Sequence, residues 1–101
     1  MTEDERIIYL KGFGNRVKYY REKLGITQRE LAIKAGYVNG VNPASSIYKI
    51  EKGEMDIPQT KVAEIAKALG VEPYELIVSP QVARLVKYAE AFQKGAENVE
   101  I

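Results

Sequence analysis

Between Thr27 and Gly53 the chain gathers side chains that hydrogen-bond and carry charge: Gln28 and Arg29, then Asn42, Ser45, Ser46, Tyr48, Lys49 and Lys52. Amides, hydroxyls, a phenol and cationic ends are the groups that meet phosphate oxygens and the edges of bases. Catalysis is poorly served by the same inventory. The sequence has no His and no Cys, so the commonest general base, the best nucleophile and any thiolate metal site are missing. No Gly-x-Ser-x-Gly elbow, phosphate-binding loop or metal-ligand spacing takes their place. The residues suit noncovalent recognition, and neither an enzyme activity, a metal nor a cofactor is expected.

Those side chains need a scaffold, and the pattern around them is helical throughout, with no strand-like alternation. The fold class predicted is all-α. A secure helix is expected from Gly12 to Leu24, with Phe13, Val17, Tyr20 and Leu24 on one face and Gly25 as its stop. Thr27 to Glu30 has the Thr-x-x-Glu spacing of a capping box, which opens a second helix that turns Leu31, Ala32 and Ala35 inward before Gly36. Asn42-Pro43 reads as an N-cap followed by Pro at the first helical position, opening a third helix that ends at Lys52-Gly53. A fourth starts near Pro58 and carries Val62, Ile65, Ala66 and Leu69; a short fifth lies within Val71 to Val78. Ser79-Pro80 opens a sixth bearing Val82, Leu85, Val86, Ala89 and Phe92, and the tail after Gly95 should fray. Thr2 and Glu5 have the spacing of one more capping box, but Gly12 and Gly14 predict an interruption between it and the first secure helix.

Rotation decides which side of the third helix faces outward. At about 100° per residue, an inward Ile47 places Ile50 at about −60° and Glu51 at about +40°. Ser45, Lys49 and Lys52 then fall on the far side, with Ser46 and Tyr48 on the flanks. Charge is uneven in a way that suits this face. The net charge of the 101 residues is only +1, yet residues 11–34 carry a local balance of +5 and residues 54–76 one of −3. A polyanion responds to the basic face rather than to the total.

At this point the residues resemble those of the lambda-repressor and Cro-like helix-turn-helix proteins, the XRE family. The likeness rests on Thr27-Gln28-x-Glu30-Leu31-Ala32, on Ser45-Ser46-Ile47-x-Lys49-Ile50-Glu51-x-Gly53, on Pro58, and on Ile65-Ala66-x-Ala68-Leu69-x-Val71. It spans roughly residues 12–78, and on Asp56-Ile57-Pro58-Gln59 and Ser45 to Gly53 it is nearest to short phage-type repressors of Gram-positive bacteria. The resemblance implies a five-helix domain at 12–78 with an additional C-terminal helix, an extension at 1–11, and a dimerisation element at 79–101. It also implies a sequence-specific regulator of transcription, a repressor, whose third helix enters the major groove of a double-stranded operator. Gln28 would bond a phosphate and brace that helix, with Arg29, Asn42, Ala44, Ser45, Ser46, Tyr48, Lys49 and Lys52 completing the surface toward DNA. Arg21 and Glu51 match the positions of a largely buried ion pair between the first and third helices.

Three departures from the family pattern stand out. Ala44 replaces a Gln that could read adenine, the turn from Tyr37 to Asn42 is several residues longer than usual, and Glu54-Met55-Asp56 is acidic where many relatives carry phosphate-binding cations. The apolar stripe of the sixth helix can fold back on the domain or pair with a second copy; pairing is favoured, because such readers use half-sites about 34 Å apart. The alternative function is an antitoxin or anti-repressor that uses the same fold to bind another polypeptide, such as a toxin. Neither a signal peptide nor a membrane span is expected, which predicts a cytoplasmic protein.

Overall fold

The computed structural model describes residues 1–37 and 42–97. They form six helices, and no strand occurs among them: α1 Glu3–Leu24, α2 Gln28–Lys34, α3 Ala44–Glu51, α4 Gln59–Leu69, α5 Pro73–Ile77 and α6 Pro80–Glu97. Residues 38–41 of the long turn expected between Tyr37 and Asn42, and the tail at 98–101, lie outside the described residues.

The core is the sum of the inward stripes. Phe13, Val17 and Tyr20 from α1 meet Leu31, Ala32 and Ala35 from the α2 segment, Ile47 and Ile50 from α3, Val62, Ile65, Ala66 and Leu69 from α4, and Leu76 from α5. Burying such side chains contributes about 1.5–3 kcal/mol each, which is how helices as short as α2 and α3 hold together: alone they fall below the length at which a helix is stable in water. Leu24, expected inward, is exposed. It is the last residue of α1, where Gly25 takes a left-handed φ of 71° and turns the chain away before Leu24 reaches a neighbour.

The two glycines of α1 do not interrupt it. The helix runs unbroken from Glu3, and Thr2 caps it by accepting the Glu5 N–H at 3.1 Å. The reason for Gly14 is packing: a Cβ there would lie 2.2 Å from the carbonyl oxygen of Ile50 and 2.7 Å from that of Glu51. Its missing side chain lets the end of α3 sit directly on the α1 backbone. Gly53 repeats the device one step later, with φ at 72° and a would-be Cβ 2.9 Å from the Cα of Lys11. So α1 is the platform against which α3 is set.

α3 begins one residue later than the sequence suggests, at Ala44. Pro43 occupies the cap position in helical conformation with no side-chain cap, and the Ser45 N–H donates to the Asn42 carbonyl at 3.1 Å. Asn42 therefore leads into α3 through its backbone carbonyl. Pro58 likewise precedes α4 as its cap.

α5 and α6 are joined by charge as much as by packing. Arg16 of α1 donates to the carbonyl oxygens of Leu76 and Ile77, at 2.6 and 2.9 Å, and so occupies carbonyls at the end of α5 that have no helical partner. The Lys87 ammonium on α6 reaches the buried Glu75 carboxylate of α5 at 2.5 Å. Burial pushes that carboxyl up, but Lys87 and the Glu72 N–H outweigh it and hold Glu75 below the ordinary carboxylate range. None of the expected α6 stripe is buried: Val82, Leu85, Ala89 and Phe92 are exposed and Val86 is half-buried, while Ala83, on the other side of the helix, is the buried residue among the described side chains of α6. α6 continues past Gly95 to Glu97. The radius of gyration, 15.7 Å, exceeds the about 13 Å of a compact 100-residue domain, as two long helices reaching beyond a small core require.

Candidate nucleic-acid interface

α2 is opened by a complete capping box, with Thr27 Oγ1 accepting the Glu30 N–H at 3.0 Å and Glu30 accepting the Thr27 N–H at 3.2 Å. This fixes the angle at which Gln28 and Arg29 leave the turn. Arg29 is exposed, whereas Gln28 is half-buried and turned toward α3.

What it meets there is the end of α3. Glu51 is buried, and its carboxylate is gripped by Arg21, Nε to Oε2 at 2.6 Å and Nη2 to Oε1 at 3.1 Å, while the Gln28 amide N–H donates to Oε1 at 3.1 Å. The third nitrogen of Arg21 donates to the Ile26 carbonyl at 2.9 Å, in the turn between α1 and α2. One carboxylate thus ties α1, α2 and α3 together, and a two-point guanidinium fork specifies orientation as well as proximity. The hydrogen bonds to Glu51 hold the Arg21 guanidinium above its ordinary value, so the positive partner is permanent.

With Ile47 and Ile50 fully buried and Glu51 held, the rotation of α3 is set. Lys49, Lys52 and Asn42 are exposed, Tyr48 is 47% exposed, and Ala44, Ser45 and Ser46 are half-buried at the amino end of the helix. The Lys52 ammonium lies 4.9 Å from the centre of the Tyr48 ring. These two side chains, four residues apart, form a single cationic-aromatic ridge. Ten of the sequence-predicted residues therefore collect on or behind one helix and the cap of α2; Arg29 stands apart on the outer side of α2.

Two contacts of this region carry no local sequence signal. The resemblance implied that Gln28 braces α3, but its partner Glu51 lies 23 positions away and is not indicated by any local pattern. Arg6, in the first turns of α1, makes a two-point ion pair with Asp56 in the loop after α3, Nη2 to Oδ2 at 2.6 Å and Nε to Oδ1 at 3.1 Å. Only the opposite charges hinted at it.

A capped helix, a turn and a second helix whose outer face is polar and cationic define the helix-turn-helix class. The chain belongs to the helix-turn-helix family of the XRE type: the family model described as "Helix-turn-helix" matches residues 17–76. That makes it a DNA-binding regulator of transcription by class. Among solved structures it is similar to the restriction-modification controller protein C.AhdI from Aeromonas hydrophila, at 30% sequence identity and a TM-score of 0.59, covering 66% of this chain and 94% of that one. A search of curated protein sequences returns no match. Among the described residues no helix is long and apolar enough to cross a membrane.

Proposed function

We propose that the chain is a sequence-specific repressor that places α3 in the major groove of an operator and acts by occupancy rather than by catalysis, in the cytoplasm. The observation that carries the reading is the joint geometry of Glu51 and the outer face of α3. The Arg21–Glu51–Gln28 cluster anchors the carboxyl end of the helix from behind, and Tyr48, Lys49 and Lys52 stand free on the opposite side. Ser45 and Ser46 enter the groove first, where their hydroxyls can either donate or accept, and Lys49 and the Tyr48 ridge follow. Asn42 lies beside them within reach of phosphates, Arg29 on the outer side of α2 is left for a more distant phosphate, Ala44 offers a methyl surface to thymine, and Gln28 keeps a second amide N–H for a backbone phosphate. Restriction-modification control, named for the similar solved protein, and short phage-type repression are two settings for the same act.

The test is selection of bound oligonucleotides followed by mobility-shift titration at two salt concentrations. Selective retention with a steep salt slope is the expected result, since each neutralised phosphate steepens it. Changing Ser45 and Lys49 to Ala should relax the preferred sequence, each lost base contact reducing discrimination by about 1–3 kcal/mol, with the helical circular dichroism unchanged. An unaltered preference would remove α3 from the groove.

The second half of the proposal is a homodimer formed through α6. Val82, Leu85, Tyr88, Ala89 and Phe92 share one side of this helix, while Arg84, Lys87, Glu90 and Lys94 share the other. The apolar side is not the one docked on the body, and its large side chains are 44% to 72% exposed. A charge-free face of this kind suits a copy of itself, because a two-fold contact brings like against like. Replacing Leu85 and Phe92 by Lys should convert a dimer to a monomer by analytical ultracentrifugation and weaken operator binding at least tenfold. The same exposed face also favours the second reading, an antitoxin or anti-repressor whose α6 binds a toxin or another polypeptide. A chain that sediments as a monomer, and stays one on DNA, would support it.

A further inference from the structure

The loop that leaves α3 carries Glu54 and Asp56, which is an odd composition for the edge of a DNA-binding surface. An eight-residue helix is about 12 Å long, and the major groove is about 12 Å wide. A chain lying in the groove must therefore pass the groove wall, with its phosphates, within a few residues of the helix end. Asp56 stands there with its side chain 70% exposed, so packing does not account for it, and unopposed it would repel the backbone.

It is not unopposed. The Arg6 guanidinium presents its Nε and Nη2 edge to both oxygens of Asp56, and its remaining nitrogen bonds Glu3 at 3.1 Å, which fixes the fork. The segment that supplies Arg6 adds little to the core: Ile7 and Ile8 are exposed, and Leu10 is the one buried residue of these first turns. Its close contacts run instead to the loop, through Arg6 on Asp56 and Lys11 on Gly53. Arg6 also precedes the stretch that the family model matches.

We propose that Arg6 is a positioning residue for DNA binding, which by closing a two-point ion pair with Asp56 cancels a carboxylate at the groove wall and lets an acidic loop lie beside phosphates. This rests on the reading of α3 as the groove helix. The full chain is tested by fluorescence anisotropy against its selected operator duplex and a random-sequence duplex, at about 50 and 300 mM salt. Arg6→Gln should weaken binding to both duplexes about three- to tenfold at the lower salt and by much less at the higher, because a charge effect is screened. Arg6→Lys should restore most of the loss. Asp56→Asn should cause none, and Arg6→Gln combined with Asp56→Asn should bind within about twofold of Asp56→Asn alone.

A loss that persists undiminished in the Asp56→Asn background would show Arg6 touching phosphate itself, and overturns the proposal. So does wild-type affinity in Arg6→Gln. Failure of the unaltered chain to bind any duplex above competitor is a different outcome: it defeats the regulator reading, and this role with it.

Discussion

Arg21→Ala is expected to destabilise the protein by about 3–5 kcal/mol, the range for stranding a buried charge. The Arg21 side chain is 13% exposed and that of Glu51 only 5%. With the guanidinium gone, Glu51 keeps a single amide N–H from Gln28, far short of what a carboxylate loses in leaving water. Urea unfolding should show the loss as a lower midpoint with little change in slope. The pair itself is not expected to be a large net stabiliser, since desolvation offsets most of its attraction. Arg21→Met combined with Glu51→Leu should accordingly recover much of the stability while losing operator affinity, because the apolar pair supports α3 without fixing its rotation. A loss below about 1 kcal/mol for Arg21→Ala, the range of an exposed pair, would contradict the burial on which this rests.

The second large effect belongs to Gly14. Substituting Ala in an exposed helix interior ordinarily gains up to about 1 kcal/mol. Here the new methyl would meet the Ile50 carbonyl oxygen at 2.2 Å and the Glu51 carbonyl carbon at 2.9 Å, backbone atoms that no rotamer change can clear. α3 must move away from α1, and overpacking of this kind costs about 1–3 kcal/mol and sometimes more. Gly14→Ala is therefore expected to lower the urea midpoint and to weaken DNA binding further than the stability loss explains, since the moved element is the one that enters the groove. Gly12→Ala is the internal control. The nearest atoms to its Cβ belong to the Arg16 guanidinium, at 3.1 Å, a side-chain end that can give by a few tenths of an ångström where a backbone carbonyl cannot, so Gly12→Ala should cost clearly less than Gly14→Ala. Equal behaviour of the two variants would mean that the close crossing of α1 and α3 is absent in solution.

Both effects turn on where α3 is held, and the sequence alone already carried much of that. Ile47, Ile50 and Glu51 face inward because a helix repeats every 3.6 residues, and that period is written into the order of residues. The capping box at Thr27 and the glycine stops at Gly25 and Gly53 are equally local, set by residues within a few positions of the backbone groups they serve. Local order was therefore enough to read most helix boundaries, most of the core and the inward side of α3.

Contacts between distant helices supply what local order cannot encode. Gly12 and Gly14 look alike as helix interrupters, and only the crossing with α3 shows that neither breaks the helix and that one of them makes room for another backbone. The partnership of Gln28 with Glu51, the clamp of Arg16 on the end of α5 and the pairing of Arg6 with Asp56 join positions 23, about 60 and 50 residues apart. Periodicity and capping act over one or two turns. Contacts across such separations exist only once the chain has folded, so periodicity and capping show the polar groups without their partners; the pairing of Arg21 with Glu51, 30 positions apart, was implied by the family resemblance and not by local order.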